Sequence, residues 1–283
     1  MIKAIQIGYN ELFEHKCQLA AKAGFKHISV NYTEVIGKSE DEWKAITEDI
    51  LRILEGNALS CVQSHPHYYD LLISSEIIDE DMEFAIRQSI ISSAALGAKY
   101  CVIHPRSAIN FAYSNKKSFE DNKKWFSELI DTAVKHGTNI AAENLPIFPD
   151  ARRLMPFYAS NVDDLANLAD SFGDGCLSVC WDFGHAHLLK WDQATAIKYL
   201  GNRIGCTHVH NNFGIRDDHS TPDIGSIPWE SVMPALASTG YSGPLTLETH
   251  CWYDDSQLRA SFARHNFACL EYLEKLAKAE KML

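Results

Sequence analysis

Residues 99–105, KYCVIHP, are a short apolar run that closes on a histidine and a proline. Bounded by Gly97 on one side and Pro105 on the other, such a run reads as a strand buried on both faces. The histidine at its carboxyl end has counterparts. LSCVQSHP (59–66) ends on His65, TNIAAENLP (138–146) carries Glu143, and LSVCWDFGH (177–185) carries Asp182; 104 − 65, 143 − 104 and 182 − 143 are each 39 residues. One structural position therefore recurs once per unit of chain. IGCTHVHNN (204–212), with His208, and GPLTLETH (243–250), with Glu248, continue the series, and IKAIQIGY (2–9) and KHISVNY (26–32) precede it.

Amphipathic segments lie between these eight runs, for example Trp43, Ile46, Ile50 and Leu54, or Met82, Ile86 and Ile90 stopping at Gly97. Strands too apolar for solvent, alternating with helices in one unbroken series, describe a parallel sheet covered by helices. The economical closure is an α/β (β/α)8 TIM barrel. A doubly wound open sheet is the alternative, and the lack of a GxGxxG turn after the first strand speaks against it. No linker or low-complexity block divides 1–283, so one domain is expected.

Composition narrows the function classes. With 46% apolar and 22% charged residues in 283, the chain can bury a core and is not disordered. Lys+Arg 26 against Asp+Glu 37 gives −11, which disfavours a sequence-wide grip on nucleic acid or anionic lipid. Mean hydropathy of −0.19 and no apolar run near about 18 residues predict a soluble protein without a membrane span. MIKAIQIGYN shows no secretory leader, and eight cysteines without a CxxC pair read as reduced, packed thiols, which points to the cytoplasm. His15, His27, His136 and His265 read as ordinary histidines.

In a barrel of this kind the carboxyl ends of the strands converge, so His65, His104, Glu143, Asp182, His208 and Glu248 are expected to face one bowl. His185, three residues after Asp182, and Asp217 and His219 in RDDH join them from the loops. A single strand-end histidine is ordinarily just a hydrogen-bonded polar residue; six units repeating a ligand-type residue point to metal. Imidazole and carboxylate without thiolate suit Zn²⁺, Mn²⁺ or Fe²⁺ at a catalytic site with open positions, and the carboxylates would repel one another without cations. His67, His187 and His210 read as packing partners as readily as ligands, with the His210 ring expected to turn away from the direction of His208; His250 is left unassigned. Arg106 and Arg216, nearest the ligands, are expected to bind one anionic group, whereas Lys116/Lys117, Lys123/Lys124 and Arg152/Arg153 read as surface charge. Tyr68, Tyr69, Phe111, Trp181, Trp252 and Tyr253 suit either the flat walls of a sugar pocket or rim packing.

Taken in order, SHP (64–66), VIHPRS (102–107), AEN (142–144), WDFGH (181–185), THVHNN (207–212), DDH (217–219) and LETH (247–250) resemble the xylose isomerase-like barrels. That group includes sugar isomerases and epimerases, dehydratases of keto-polyols, and the endonuclease IV group of abasic-site nucleases. The resemblance implies a site for one divalent ion at Glu143, Asp182, His208 and Glu248, a second at His65, His104 and Glu143, and a third at His185, Asp217 and His219. One to three ions of Zn²⁺ or Mn²⁺ are thus implied. For isomerisation, Glu143 and Glu248 would exchange a proton next to a carbonyl through an enediolate, with His185, Arg106, Arg216 and Trp252 holding the substrate. For phosphodiester hydrolysis all nine ligands would act on a DNA strand. The acidic TEVIGKSEDEW loop, and NLPIFPDARR where the nucleases have a Gly-rich turn, favour a small sugar or sugar-phosphate over nucleic acid. A non-catalytic sugar-binding barrel is a third reading, and assembly into a homo-oligomer is left open.

Overall fold

Eight parallel strands close on one another: β1 (Ile2–Gly8), β2 (His27–Asn31), β3 (Ser60–His65), β4 (Tyr100–Ile103), β5 (Asn139–Glu143), β6 (Leu177–Asp182), β7 (Ile204–Val209) and β8 (Pro244–Leu247). Each strand pairs with its sequence neighbours, and β8 returns to β1 with Ile2 opposite Pro244 and Ile5 opposite Leu247. The expected barrel is therefore the observed fold, and the open sheet is excluded. The computed structural model describes residues 1–67, 72–73, 79–110, 112–113, 115–150, 153–173 and 175–279.

Nine helices among the described residues surround the strands: α1 (Phe13–Ala23), α2 (Glu40–Gly56), α3 (Glu80–Ala95), α4 (Asn115–His136), α5 (Val162–Asp170), α6 (Phe183–Leu188), α7 (Gln193–Leu200), α8 (Trp229–Ser238) and α9 (Ser256–Ala279). Local sequence sets their ends. Ser39 and Glu42 form a reciprocal capping box that starts α2, and Gly24, at φ 109°, gives α1 the left-handed stop that a side chain would resist. Within the described residues no helix is long and apolar enough to cross a membrane. Short strands not expected from the sequence decorate the connections: Ile147–Asp150 pairs antiparallel with Arg153–Pro156, and Leu72–Ile73, Ser107–Asn110 and Ala112–Tyr113 form a second small sheet.

Strand alternation aims the candidate ligands. Tyr100, Val102, Ala141, Cys180 and Cys206 form a buried apolar layer distinct from the larger core between strands and helices. Residues two apart on a strand share a face. His104 follows Val102, Glu143 follows Ala141, Asp182 follows Cys180 and His208 follows Cys206, so each ligand-type residue stands one step above an inward-facing apolar one. Register completes the arrangement, setting Asp182 beside His208 and Glu143 beside Cys180.

Candidate metal centre

All nine expected ligands meet in the bowl at the carboxyl ends of the strands, in three adjoining groups. His65 Nε2, His104 Nε2 and Glu143 Oε2 form the first: the two ring nitrogens are 3.1 Å apart, and the carboxylate oxygen lies 3.0 Å from His104 and 3.7 Å from His65. In the second, His208 Nδ1 faces Glu143 Oε1 at 3.0 Å, Glu248 Oε2 at 3.2 Å and Asp182 Oδ2 at 3.8 Å. In the third, Asp217 Oδ2 lies 3.3 Å from His185 Nε2 and 3.2 Å from His219 Nε2. Glu143 serves two groups, one through each oxygen.

His210 belongs here as well, contrary to the expectation that its ring turns away. Being two residues beyond His208, it keeps the same face of the extended chain. Its Nε2 lies 3.1 Å from the Asp182 carboxylate, its Nδ1 3.8 Å from Asp217 Oδ1, and its ring stacks on His219 with centroids 4.1 Å apart. Gly184 in WDFGH makes room for it, because a Cβ at that position would overlap the His210 ring.

Backbone carbonyls fix how three of the rings present themselves. A carbonyl only accepts, so His65 Nδ1 donates to Pro66 O (3.2 Å), His185 Nδ1 to Asn144 O (2.8 Å) and His219 Nδ1 to Glu248 O (2.9 Å). In the neutral ring the Nε2 lone pair is left facing the bowl, as a cation requires. Carboxylates are oriented too. Asp182 caps α6 by accepting from His185 N at 2.6 Å, Asn144 and Asp182 exchange two hydrogen bonds, and Gln6 Nε2 donates to Glu248 Oε1 at 2.8 Å.

Electrostatics follow from burying opposite charges together. Glu143 is 1% exposed, and Asp182 and His208 are fully buried. Burial opposes charge on His208, but Glu143 and Glu248 raise it to about 10; it likewise opposes charge on Glu248, which His208 and His219 bring down to about 2. His219 rises against burial to about 9 through Asp217 and Glu248, and His185 rises well above the usual histidine range beside Asp182 and Asp217. Glu143 and Asp217 are held well below the ordinary carboxylate range by the rings they face, while burial pushes His104 down.

The donor set fits divalent cations. Among the described residues, His210 Nδ1 and Asp217 Oδ1 are buried polar atoms without a hydrogen bond, and they face each other at 3.8 Å within the third group. Each ring nitrogen that faces a carboxylate offers a lone pair once its proton leaves, so a cation can replace the protons that balance four carboxylates. Among the described residues, Cys180 is the thiol grouped with Glu143 and His208.

The family model for the xylose isomerase-like TIM barrel matches residues 17–267. The chain belongs to that family. An uncharacterized protein of Sinorhizobium fredii (strain NBRC 101917 / NGR234) is 25% identical over 263 residues, 85% of this chain and 82% of that protein. Among solved structures, a D-tagatose 3-epimerase-like protein superposes with TM-score 0.75 at 19% identity, covering all of both chains. The D-psicose 3-epimerase of Clostridium cellulolyticum H10, determined with D-tagatose, gives 0.73 at 16% identity over 98% of this chain and 99% of its own. At such identities the structural likeness establishes the common fold.

Other expected contacts of this xylose isomerase-like barrel fall elsewhere. Arg106 is engaged by Glu83 at 3.3 Å and lies over the Trp125 ring, and Arg216 is 83% exposed beside Asp218. Helix-borne partners thus engage the first guanidinium, and Asp218 and solvent the second. Trp252 is 82% exposed and stacks on His250. Trp181 is fully buried against Trp191, which makes it core packing. Tyr68, Tyr69, Phe111 and Arg152 lie outside the described residues. The cavity that does open beside Glu248, about 380 Å³, is lined by Gln6, Tyr9, Lys16, Asn31 and Arg259. Sequence reading missed these because they come from the first two strands, α1 and α9, which carry no ligand-type repeat.

Proposed function

We propose that this protein is a divalent-metal-dependent sugar or sugar-phosphate isomerase or epimerase that moves a proton at the carbon next to a carbonyl. One observation carries the reading: Glu143 and Glu248, from β5 and β8, present carboxylate oxygens 3.0 and 3.2 Å from the same His208 nitrogen. Glu143, Asp182, His208 and Glu248 would hold the ion, which when bound would supply Lewis-acid polarisation of a substrate carbonyl and hydroxyl and so acidify the C–H between them. Each glutamate has a second oxygen outside this ion's group: Glu143 Oε2 faces His104 and Glu248 Oε1 faces Gln6. Glu248 Oε1, steadied by Gln6, takes or returns the proton on the side of the cavity, and Glu143 serves as its partner, the pairing an enediolate route requires. The sugars in the names of the two solved neighbours support the substrate class.

The third group, His185, His210, Asp217 and His219, is what an abasic-site phosphodiesterase would add. Against that reading, Arg106 is already paired, and Lys116 and Lys117 lie along α4 beside Glu120 and Asp121. Solvent deuterium exchange into a panel of ketoses and their phosphates, with Mn²⁺- or Zn²⁺-loaded protein, tests the proposal. Exchange at one carbon is expected, reduced about 10²–10⁴-fold in Glu143→Gln and in Glu248→Gln. No exchange together with cleavage of an abasic duplex would replace it with the nuclease reading. Sugar binding without turnover, unaffected by Glu143→Gln, would make the protein a binding barrel.

A further inference from the structure

A second set of donors lies in the outer layer, where α9 meets the connection between β7 and α8. His265 and Cys269 are four residues apart on α9 and therefore stand one above the other on one face. Asp223 comes to them from the connection. His265 Nε2 is 2.9 Å from Asp223 Oδ1, and Cys269 Sγ is 3.6 Å from both. Thr221 Oγ1 donates to the same carboxylate oxygen at 2.7 Å and sets its position.

These lengths have a meaning for a metal. With Zn–S of about 2.3 Å and Zn–N and Zn–O of about 2.0–2.1 Å, tetrahedral angles put S–N and S–O edges at about 3.6 Å and the N–O edge at about 3.4 Å. Both sulfur edges already have that length, and the His265–Asp223 hydrogen bond needs to open by only about 0.5 Å. Cys269 is buried while His265 and Asp223 are about half exposed, so an ion can enter from solvent and keep a water on its open side.

We propose that Asp223, His265 and Cys269 form a peripheral zinc site, three protein ligands and one water, that clips α9 to the β7–α8 connection. Binding forms the Zn–S bond as the thiol S–H breaks, and the proton passes to solvent. Asp217 and His219 lie on the same connection a few residues before Asp223, so the clip bears on the third cation group of the bowl.

Cobalt titration of the whole chain tests this, because thiolate-to-cobalt charge transfer in the near ultraviolet reports sulfur ligation whatever the bowl binds. A band saturating at one thiolate-bound cobalt per chain is expected, lost in Cys269→Ser and retained in Cys180→Ser, the bowl's own thiol. Zinc should displace the cobalt and erase the band. His265→Gln, at a half-exposed position, should weaken cobalt binding at this band roughly tenfold or more. No thiolate band in the unaltered protein, or a band that survives Cys269→Ser, overturns the proposal. Should Cys269→Ser fail to fold, unchanged cobalt affinity in His265→Gln overturns it instead.

Discussion

Gly184 fixes the geometry of the third cation group by what it omits. A methyl there would occupy the space of the His210 ring, which bridges Asp182 and Asp217. Gly184→Ala is therefore expected to leave the far-ultraviolet circular dichroism unchanged and to lower metal affinity in that group about 10–100-fold, the range for groups that orient ligands. Metal content and affinity equal to those of the unaltered protein would show that His210 does not matter to the centre. Glycine in WDFGH was visible in the sequence, but its purpose was not. The clash involves a residue 26 positions away, and only the strand geometry brings the two together.

Strands and helices differ in how much of their role is written locally. The repeat of ligand-type residues was legible because it recurs every 39 residues at the ends of apolar runs; the strands add the local rule that an inward apolar residue at i places the residue at i+2 in the bowl. Carried one step past His208, that rule keeps His210 on the bowl side, the opposite of what was expected from the sequence. The hairpin of Ile147–Asp150 and Arg153–Pro156 was not legible, since LPIFPDARRLMP carries prolines that ordinarily count against strands. The partners of Arg106 were not legible for another reason: Glu83 and Trp125 come from α3 and α4. At the start of α2 the local sequence carries the cap. Ser39 accepts from Glu42 N while Glu42 accepts from Ser39 N, and Ser39→Ala should cost about 1 kcal/mol in urea unfolding. A cost below about 0.3 kcal/mol would mean that the cap contributes little at this exposed end.

On the scale of the whole molecule, the seam that closes the barrel is held by groups from both ends of the chain. β1 pairs with β8, and on the outer face Glu274 of α9 reaches Lys3 at 3.5 Å and Lys278 at 3.0 Å. Lys278, with Lys3 behind it, holds the Glu274 carboxyl below the usual range. A carboxyl lowered in the folded state adds stability above its unfolded value of about 4.3, and that increment disappears as pH falls through the folded value. Glu274→Gln is expected to destabilise by less than about 1 kcal/mol at about pH 7, and by less at about pH 3. An equal difference at both values, measured by urea midpoints, would assign the effect to packing.

The rim of this barrel is unevenly used. Among the described residues, no member of the three cation groups comes from β1 or β2, yet Gln6, Tyr9 and Asn31 of that arc line the cavity beside Glu248. The cation groups and this stretch of cavity wall thus come from different arcs of one circle, joined where Gln6 meets Glu248. Under the proposed function, substitutions at Tyr9 or Asn31 would reshape the wall of this cavity without replacing any residue of the cation groups.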